Sequence, residues 1–224
     1  MKTNFILFCR IIRYIIPTIW FNCKYLPFKQ AIKLPIILYK PHLLRCQGNI
    51  IIEGDVKFAM IRLGFLNGLI YPNNGFSYEN NGGTIIFRGK CRIGNDSYLS
   101  VGHDATVVFG DDFRNNAGAK ICSVYGVQVG KCTSLGWNVL ILDTNFHPIM
   151  DIVTNKTKKM GGEIIIGDYN WFGAYCKVLH SVKTPERCIF ALGSIVTRAT
   201  PVKSYCVSNS DKIIINNVIR TDLN

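Results

Sequence analysis

The stretch "IIIGDYNWFGAYCKVLHSVKTPERCIFALGSIVTRATP", Ile164 to Pro201, carries the period that decides the fold. Counting in sixes from Ile166 lands on Ile166, Phe172, Val178, Thr184, Phe190 and Val196, five of them large and apolar. Gly167 and Gly173 follow the first two. A six-residue period with one inward aliphatic and a small residue after it describes a strand that bends at a fixed interval, so that successive turns stack and bury a column of side chains. Glycine after the aliphatic relieves the steric restriction at the corner. A β-sandwich would alternate with period two and turn roughly every 8–12 residues, which five consecutive steps of six argue against.

Outward from this segment the same step gives Val129, Leu135 and Ile141, and earlier Phe87, Ile93 and Leu99. Between Ala105 and Ser123 the register blurs: Asp111 falls in phase, while Phe109 and Ile121 imply a shifted count. From about Gly48 the texture is short apolar runs punctuated by Gly, Asn and Asp, which reads as many short strands. Ile141 and Ile166 are separated by a number that six does not divide, so an insertion, about residues 145–163, must leave the repeat and rejoin it. Its "TNKTKKMGG" holds Lys156, Lys158 and Lys159, which either face a negatively charged acceptor or keep the loop solvated.

The 224 residues suffice for one domain with a sizeable core. With 48% hydrophobic and 18% charged residues and a mean hydropathy of +0.18, disorder is excluded. The nine cysteines are scattered without a C-x-x-C pair, so neither a zinc site nor a disulfide framework is indicated, and a reducing cytoplasm is the expected compartment. The net charge of +12 is uneven. Lys2, Arg10, Arg13, Lys24, Lys29, Lys33, Lys40 and Arg45 all precede the first acidic residue, Glu53. They flank "FILFCRIIRYIIPTIWF", an apolar run interrupted by Arg10 and Arg13 and broken by Pro17, a poor match to the roughly 20 apolar residues of a spanning helix and without a signal-peptide cleavage site. Residues 1–45 therefore read as an amphipathic segment that either lies on the inner face of an anionic membrane or packs on the main domain. Nucleic acid is not expected as a partner, because the basic residues gather at an apolar terminus rather than among exposed aromatics along a groove.

Ile164 to Pro201 resembles the hexapeptide-repeat acyltransferases, whose usual text runs I-x-IG-x-x-x-WIG-x-x-x-x-[IV]-L-x-GV-x-IG-x-x-x-[VI]-IG-A-GS-V-V-T-K-x-x-P. The likeness extends upstream through "VQVGKCTSLGWNVLILDTNFHPI", Val127 to Ile149, and more loosely to about residue 80. Ser181 stands where the family has Gly, Thr184-Pro185 where it has Ile-Gly, and Ala191-Leu192 where it has Gly-Ala. The resemblance implies an all-β fold, a left-handed parallel β-helix over residues 48–205, with an N-terminal amphipathic helical or irregular extension over 1–47 and a C-terminal tail over 206–224. It also implies a homotrimer that binds acetyl-CoA, or a longer acyl-CoA, between the coils of neighbouring subunits, and no metal.

Acyl transfer to a hydroxyl needs a base, an oxyanion donor and a groove aligning both substrates. Histidine titrates near neutrality and suits the base. His147 matches the family's catalytic histidine; outside that match it is a turn residue before Pro148. Asp143 either orients its imidazole or bonds nearby backbone amides as a turn aspartate. His103 and His180 lack such context and read as structural or surface positions, and Asn145 reads as a turn residue. Trp171, Gly173 and Ala174 match the family's W-I-G-[AS], the indole lining the groove and the Ala174 N–H meeting the thioester oxygen. Leu192, Gly193, Thr197 and Arg198 match the coenzyme channel. The expected function is sugar O-acetylation in surface-polysaccharide biosynthesis; a catalytically silent scaffold or trimerisation module is the alternative.

Overall fold

The computed structural model describes residues 11–65 and 73–221. Three parallel sheets run the length of the domain: sheet A from Ile36–Leu38 to Cys206–Ser208, sheet B from Pro41–Cys46 to Ile195–Val196, and sheet C from Asn49–Ile52 to Lys183–Thr184. The chain visits A, B and C in turn and then begins the next coil, which makes a parallel β-helix of triangular section. The period of six is the length of one face. Phe172 lies over Phe190, and Val178 over Val196, 18 positions on.

The expected inward residues are inside: Ile166, Phe172, Val178, Phe190 and Val196 are at most 2% exposed, and Phe87, Ile93, Leu99, Val129, Leu135 and Ile141 join the same core. Phe172 and Phe190 stack with ring centroids 4.5 Å apart, the offset contact that aromatic pairs favour. Thr184 occupies an inward slot because it meets a buried amide: Asn170 Nδ2 donates to its Oγ1 at 2.7 Å and to the Pro185 carbonyl at 2.9 Å, so the polar pair is satisfied internally.

Earlier coils are longer, which explains the blurred count. Leu99 pairs with Ile121, 22 positions on, because the corners there carry extra residues. Val107, Phe109, Phe113 and Ile121 point inward, whereas Asp111, in phase by the count of six, is an exposed corner residue whose Oδ1 accepts the Lys90 amide at 2.7 Å.

The first coil starts at Ile36, so a boundary at 48 falls inside it. The helix Ile15–Tyr25 closes the open end. Pro17 does not break it, lying in the first turn where no intrahelical partner for its N–H is needed. Asn22 Nδ2 donates to the Ile36 carbonyl at 2.7 Å, its Oδ1 accepts the Ile36 amide at 3.2 Å, and Thr18 Oγ1 accepts the Leu38 amide at 3.2 Å. These bonds serve the edge strand that would otherwise template aggregation. Phe21 is fully buried against Tyr25 and Tyr78. Packing on the domain is therefore one role of the N-terminal segment; residues 1–10 lie outside the described part. Ile16, Ile19 and Trp20 of this helix, and Ile12 before it, are exposed, and among the described residues no helix is long and apolar enough to cross a membrane. At the other end Cys206–Ser208 adds a further rung to sheet A and Ile213–Asn216 returns antiparallel to it, so much of the expected tail is part of the fold. Residues 222–224 lie outside the described part.

Candidate active site

The insertion emerges at the corner between sheets B and C. Ile141 pairs with Val178, 37 positions on, against 18 for the coil above. The excess forms an arm: Thr144 bridges Gly161 antiparallel, Asn145 N–H donates to the Met160 carbonyl at 2.7 Å, and Ile149–Met150 pairs with Thr157–Lys158. Asp151 Oδ1 accepts the amides of Val153 and Thr154, both at 3.0 Å, and closes the tip.

His147 sits on the outgoing limb of this arm, exposed. Thr144 Oγ1 accepts the Phe146 amide at 3.0 Å, and Phe146 takes a φ of +60°. A bulky residue held left-handed directly before the histidine is strain kept by its surroundings, a feature that clusters at functional sites.

Asp143 is completely buried, and its donors lie on the coil below. Ser123 Oγ, Val124 N, Tyr125 N and Gly126 N all reach its carboxylate at 2.8 Å. Meanwhile its backbone carbonyl accepts the returning Gly162 amide at 2.9 Å. The geometry thus gives Asp143 the backbone-binding role of a turn aspartate and makes it the root of the arm.

Beside that root is a groove of about 430 Å³ lined by Asn145, Lys158, Lys159, His180, Ser181 and Arg198 among others. His180 Nε2 lies 3.4 Å from Asn145 Nδ2 and its Nδ1 3.2 Å from Ser181 Oγ. His180, read from the sequence as a structural or surface position, is brought by the coil above the insertion to the base of the arm, a neighbour that no local sequence signal announces. Ser181, in the place of the family glycine, has a φ of +63°, which accounts for the glycine preference there.

Trp171, Gly173, Ala174, Leu192 and Gly193 gather at a different corner, between sheets A and B. A Cβ on Gly173 would come within 2.8 Å of the Leu192 amide, so the close stacking requires glycine. Gly193 has a φ of +74° with nothing within 4 Å of an added Cβ, Leu192 is 73% exposed, and Trp171 is 40% exposed. Ala174 gives its carbonyl to the Gly193 amide at 2.8 Å, and its own N–H has no acceptor among the described residues. Thr197 and Arg198 fall instead on the corner of the arm, where Thr197 N–H donates to Thr200 Oγ1 at 2.9 Å. Ala174 and Tyr175 form the turn at one corner, and His180 stands at the next, beyond the strand Lys177–Leu179, so a full face of the prism separates them. One chain therefore does not bring the histidine arm and the tryptophan corner together.

Burial pushes the thiol of Cys176 up to about 11 and that of Cys188 up to about 12, and also raises Cys122; thiols held protonated in this way are poor nucleophiles. Among the described residues no group of three or more His, Cys, Asp or Glu could hold a metal ion. Sequence reasoning missed Arg220, whose guanidinium lies 5.5 Å from the centroid of the Trp171 ring and reaches it from the C-terminal segment.

No protein-family model matches the chain. It is 34% identical over 71 residues to proteins of Staphylococcus aureus named as acetyltransferases, covering 32% of this chain and 36% of the relative. It is 29% identical over 98 residues to the polysialic acid O-acetyltransferase of Escherichia coli O1:K1 / APEC, covering 43% of this chain and 32% of that protein. The matches thus span about a third of these relatives' length. Among solved structures, the polySia specific acetyltransferase NeuO superposes with a TM-score of 0.55 at 21% identity over 84% of this chain and 80% of that one. The fold is the left-handed parallel β-helix, and in fold and matched sequence the chain resembles the hexapeptide-repeat acyltransferases.

Proposed function

We propose that the chain is an acyl-CoA-dependent O-acyltransferase, in the first instance an acetyltransferase, that acts on a sugar hydroxyl in surface-polysaccharide assembly as a homotrimer. The observation that carries this reading is the separation of the two half-sites on different corners of one prism, with the arm of His147 on one and the unclaimed Ala174 N–H beside Trp171 on the other. A neighbouring copy placed against the arm supplies the missing wall. The named function of the polysialic acid relative and the acetyltransferase names of the others support the sugar and the acetyl group.

In this mechanism the His147 imidazole takes the proton of the acceptor hydroxyl as its oxygen attacks the thioester carbonyl. The neighbour's Ala174 N–H receives the developing oxyanion. Collapse breaks the C–S bond and the imidazolium returns the proton to the departing thiolate, leaving the O-acyl sugar and free coenzyme A. No acyl-enzyme forms, in keeping with the raised thiols. Gly173 and Gly193 keep the coenzyme channel free of side chains, Leu192 lines it, and Thr197 and Arg198 of the facing corner serve the nucleotide end. Asp143 acts by anchoring the arm. The exposed Ile12, Ile16, Ile19 and Trp20, among basic residues, support a trimer that works against the cytoplasmic face of an anionic membrane.

The test is thiol release from acetyl-CoA with a panel of sugar acceptors. His147→Ala should lower turnover about 10²–10⁴-fold with coenzyme binding kept, and His180→Ala should cost far less. The reverse order would move the base to His180. Equal rates in all three proteins, or no acceptor-dependent release in the wild type, would favour the silent scaffold.

A further inference from the structure

The outer face of sheet A carries a column of arginines. Arg62, Arg92 and Arg114 are register partners on successive parallel strands, Ile61–Phe65, Cys91–Gly94 and Phe113–Asn115. Their side chains leave the sheet on the same side at the inter-strand spacing of about 4.8 Å. Like charges in register repel, and more strongly where solvent is excluded. A fold that keeps three guanidinium groups in one column bears a cost that a counter-anion would relieve.

The surroundings leave most of that charge unmatched. The column borders a groove of about 680 Å³, which also holds Lys57 and Lys90. Arg114 pairs with Asp112, but Arg62 donates to a neutral acceptor, the Ala59 carbonyl, at 3.2 Å, and among the described residues neither Arg62 nor Arg92 has a carboxylate at ion-pair distance. Glu53 is engaged by Arg88 at 3.1 Å, Asp111 by the amides of Lys90 and Asp112, and Asp55, the fourth carboxylate of the lining, forms no ion pair with the column among the described residues. Burial first, and the Arg92 charge second, disfavour the cation at Arg62. On adjacent rungs, Arg114 Nε and Ser134 Oγ are both buried without a hydrogen-bond partner. Of the two, Arg114 lines the groove, and an unpartnered guanidinium N–H at its wall calls for an acceptor.

We propose that this column is a binding site for an extended anionic ligand, held through carboxylate or phosphate oxygens by Arg62, Arg92 and Arg114. Planar guanidinium forks suit both oxyanions. Beyond Ser134 the next rung is Trp171, so a chain lying along the column leads to the tryptophan corner. That direction rests on the proposed function; the binding does not.

Calorimetric titration of the full chain with pyrophosphate, a hexameric oligogalacturonate and a neutral dextran oligomer decides the matter and distinguishes a phosphate from a carboxylate source. At least one anionic probe should bind, weaken as salt rises, and lose about tenfold in affinity with Arg92→Ala and again with Arg62→Gln, while Arg92→Lys retains part of it. Arg92 is exposed, so its replacement leaves the core untouched. Binding of neither anion at low salt, equal binding of dextran, or affinity unchanged by both substitutions and lost instead with Lys158→Ala or Lys159→Ala, would overturn the assignment. Because the readout is binding, failure here leaves thiol release by the enzyme as a separate result.

Discussion

Replacement of Asp143 separates an anchor from a catalytic orienter. Its carboxylate takes four bonds of 2.8 Å from Ser123, Val124, Tyr125 and Gly126 with no exposure to solvent. Hydrogen bonds to a charged group contribute about 1.5–3 kcal/mol each, which gives about 6–12 kcal/mol for the set. The Val124 and Tyr125 sites are only part-buried, so water replaces roughly half when the carboxylate is deleted, and Asp143→Ala should cost about 3–6 kcal/mol. Against a usual total of about 5–15 kcal/mol, that is a large loss. Asp143→Asn is milder. With its carbonyl oxygen at Oδ2 it still accepts from Ser123, Tyr125 and Gly126, and only the bond from the Val124 amide to Oδ1 turns into a donor facing a donor, for about 1–3 kcal/mol. Urea unfolding at fixed protomer concentration, read beside thiol release, measures both. An unchanged unfolding midpoint for Asp143→Asn together with a hundredfold fall in kcat would refute the anchor and restore the carboxylate as partner of the imidazole.

Phe172→Ala should destabilise by about 3–5 kcal/mol, because it removes one ring of the stacked pair and opens a cavity in a fully buried layer; thermal unfolding checks it. Ser181→Gly should stabilise by about 1 kcal/mol, since it relieves a left-handed φ at the cost of only a 3.2 Å contact to His180. The Tyr98 hydroxyl first, and Ser100 second, hold the Glu79 carboxyl below the ordinary carboxylate range. The folded-state value is thus lower than the unfolded one, so this stability is present above about pH 4.3 and fades as pH falls through the folded value; Glu79→Gln should flatten that part of the acid-unfolding curve. Ile16, 79% exposed on the outer face of the capping helix, should tolerate Ile16→Glu without loss of fold, and co-sedimentation with anionic vesicles at low salt should fall with it. Equal co-sedimentation of the two proteins would remove that helix face from membrane contact.

The six-residue count by itself determined the β-helix and its inward column, because in the last coils each face is six residues long and every sixth side chain has nowhere to go but the core. The inventory of motif residues was legible too: His147 before its proline, Trp171 with the glycines that let coils approach, and Ser181 at a corner that favours glycine. Where corners lengthen, as around Asp111, the period fails, since extra residues bulge outward without disturbing the stack and leave no periodic trace. The start of the first coil was hidden in the same way, beneath a helix whose Asn22 and Thr18 supply hydrogen bonds to an edge strand far along the chain. Tertiary structure alone decided that the Asp143 carboxylate binds the coil below, that His180 stands beside the arm, and that three arginines scattered through the sequence form one column. Each of these depends on which residues lie one rung apart, and that spacing is set by loop lengths closed through backbone hydrogen bonds between coils, a quantity no local stretch of sequence contains.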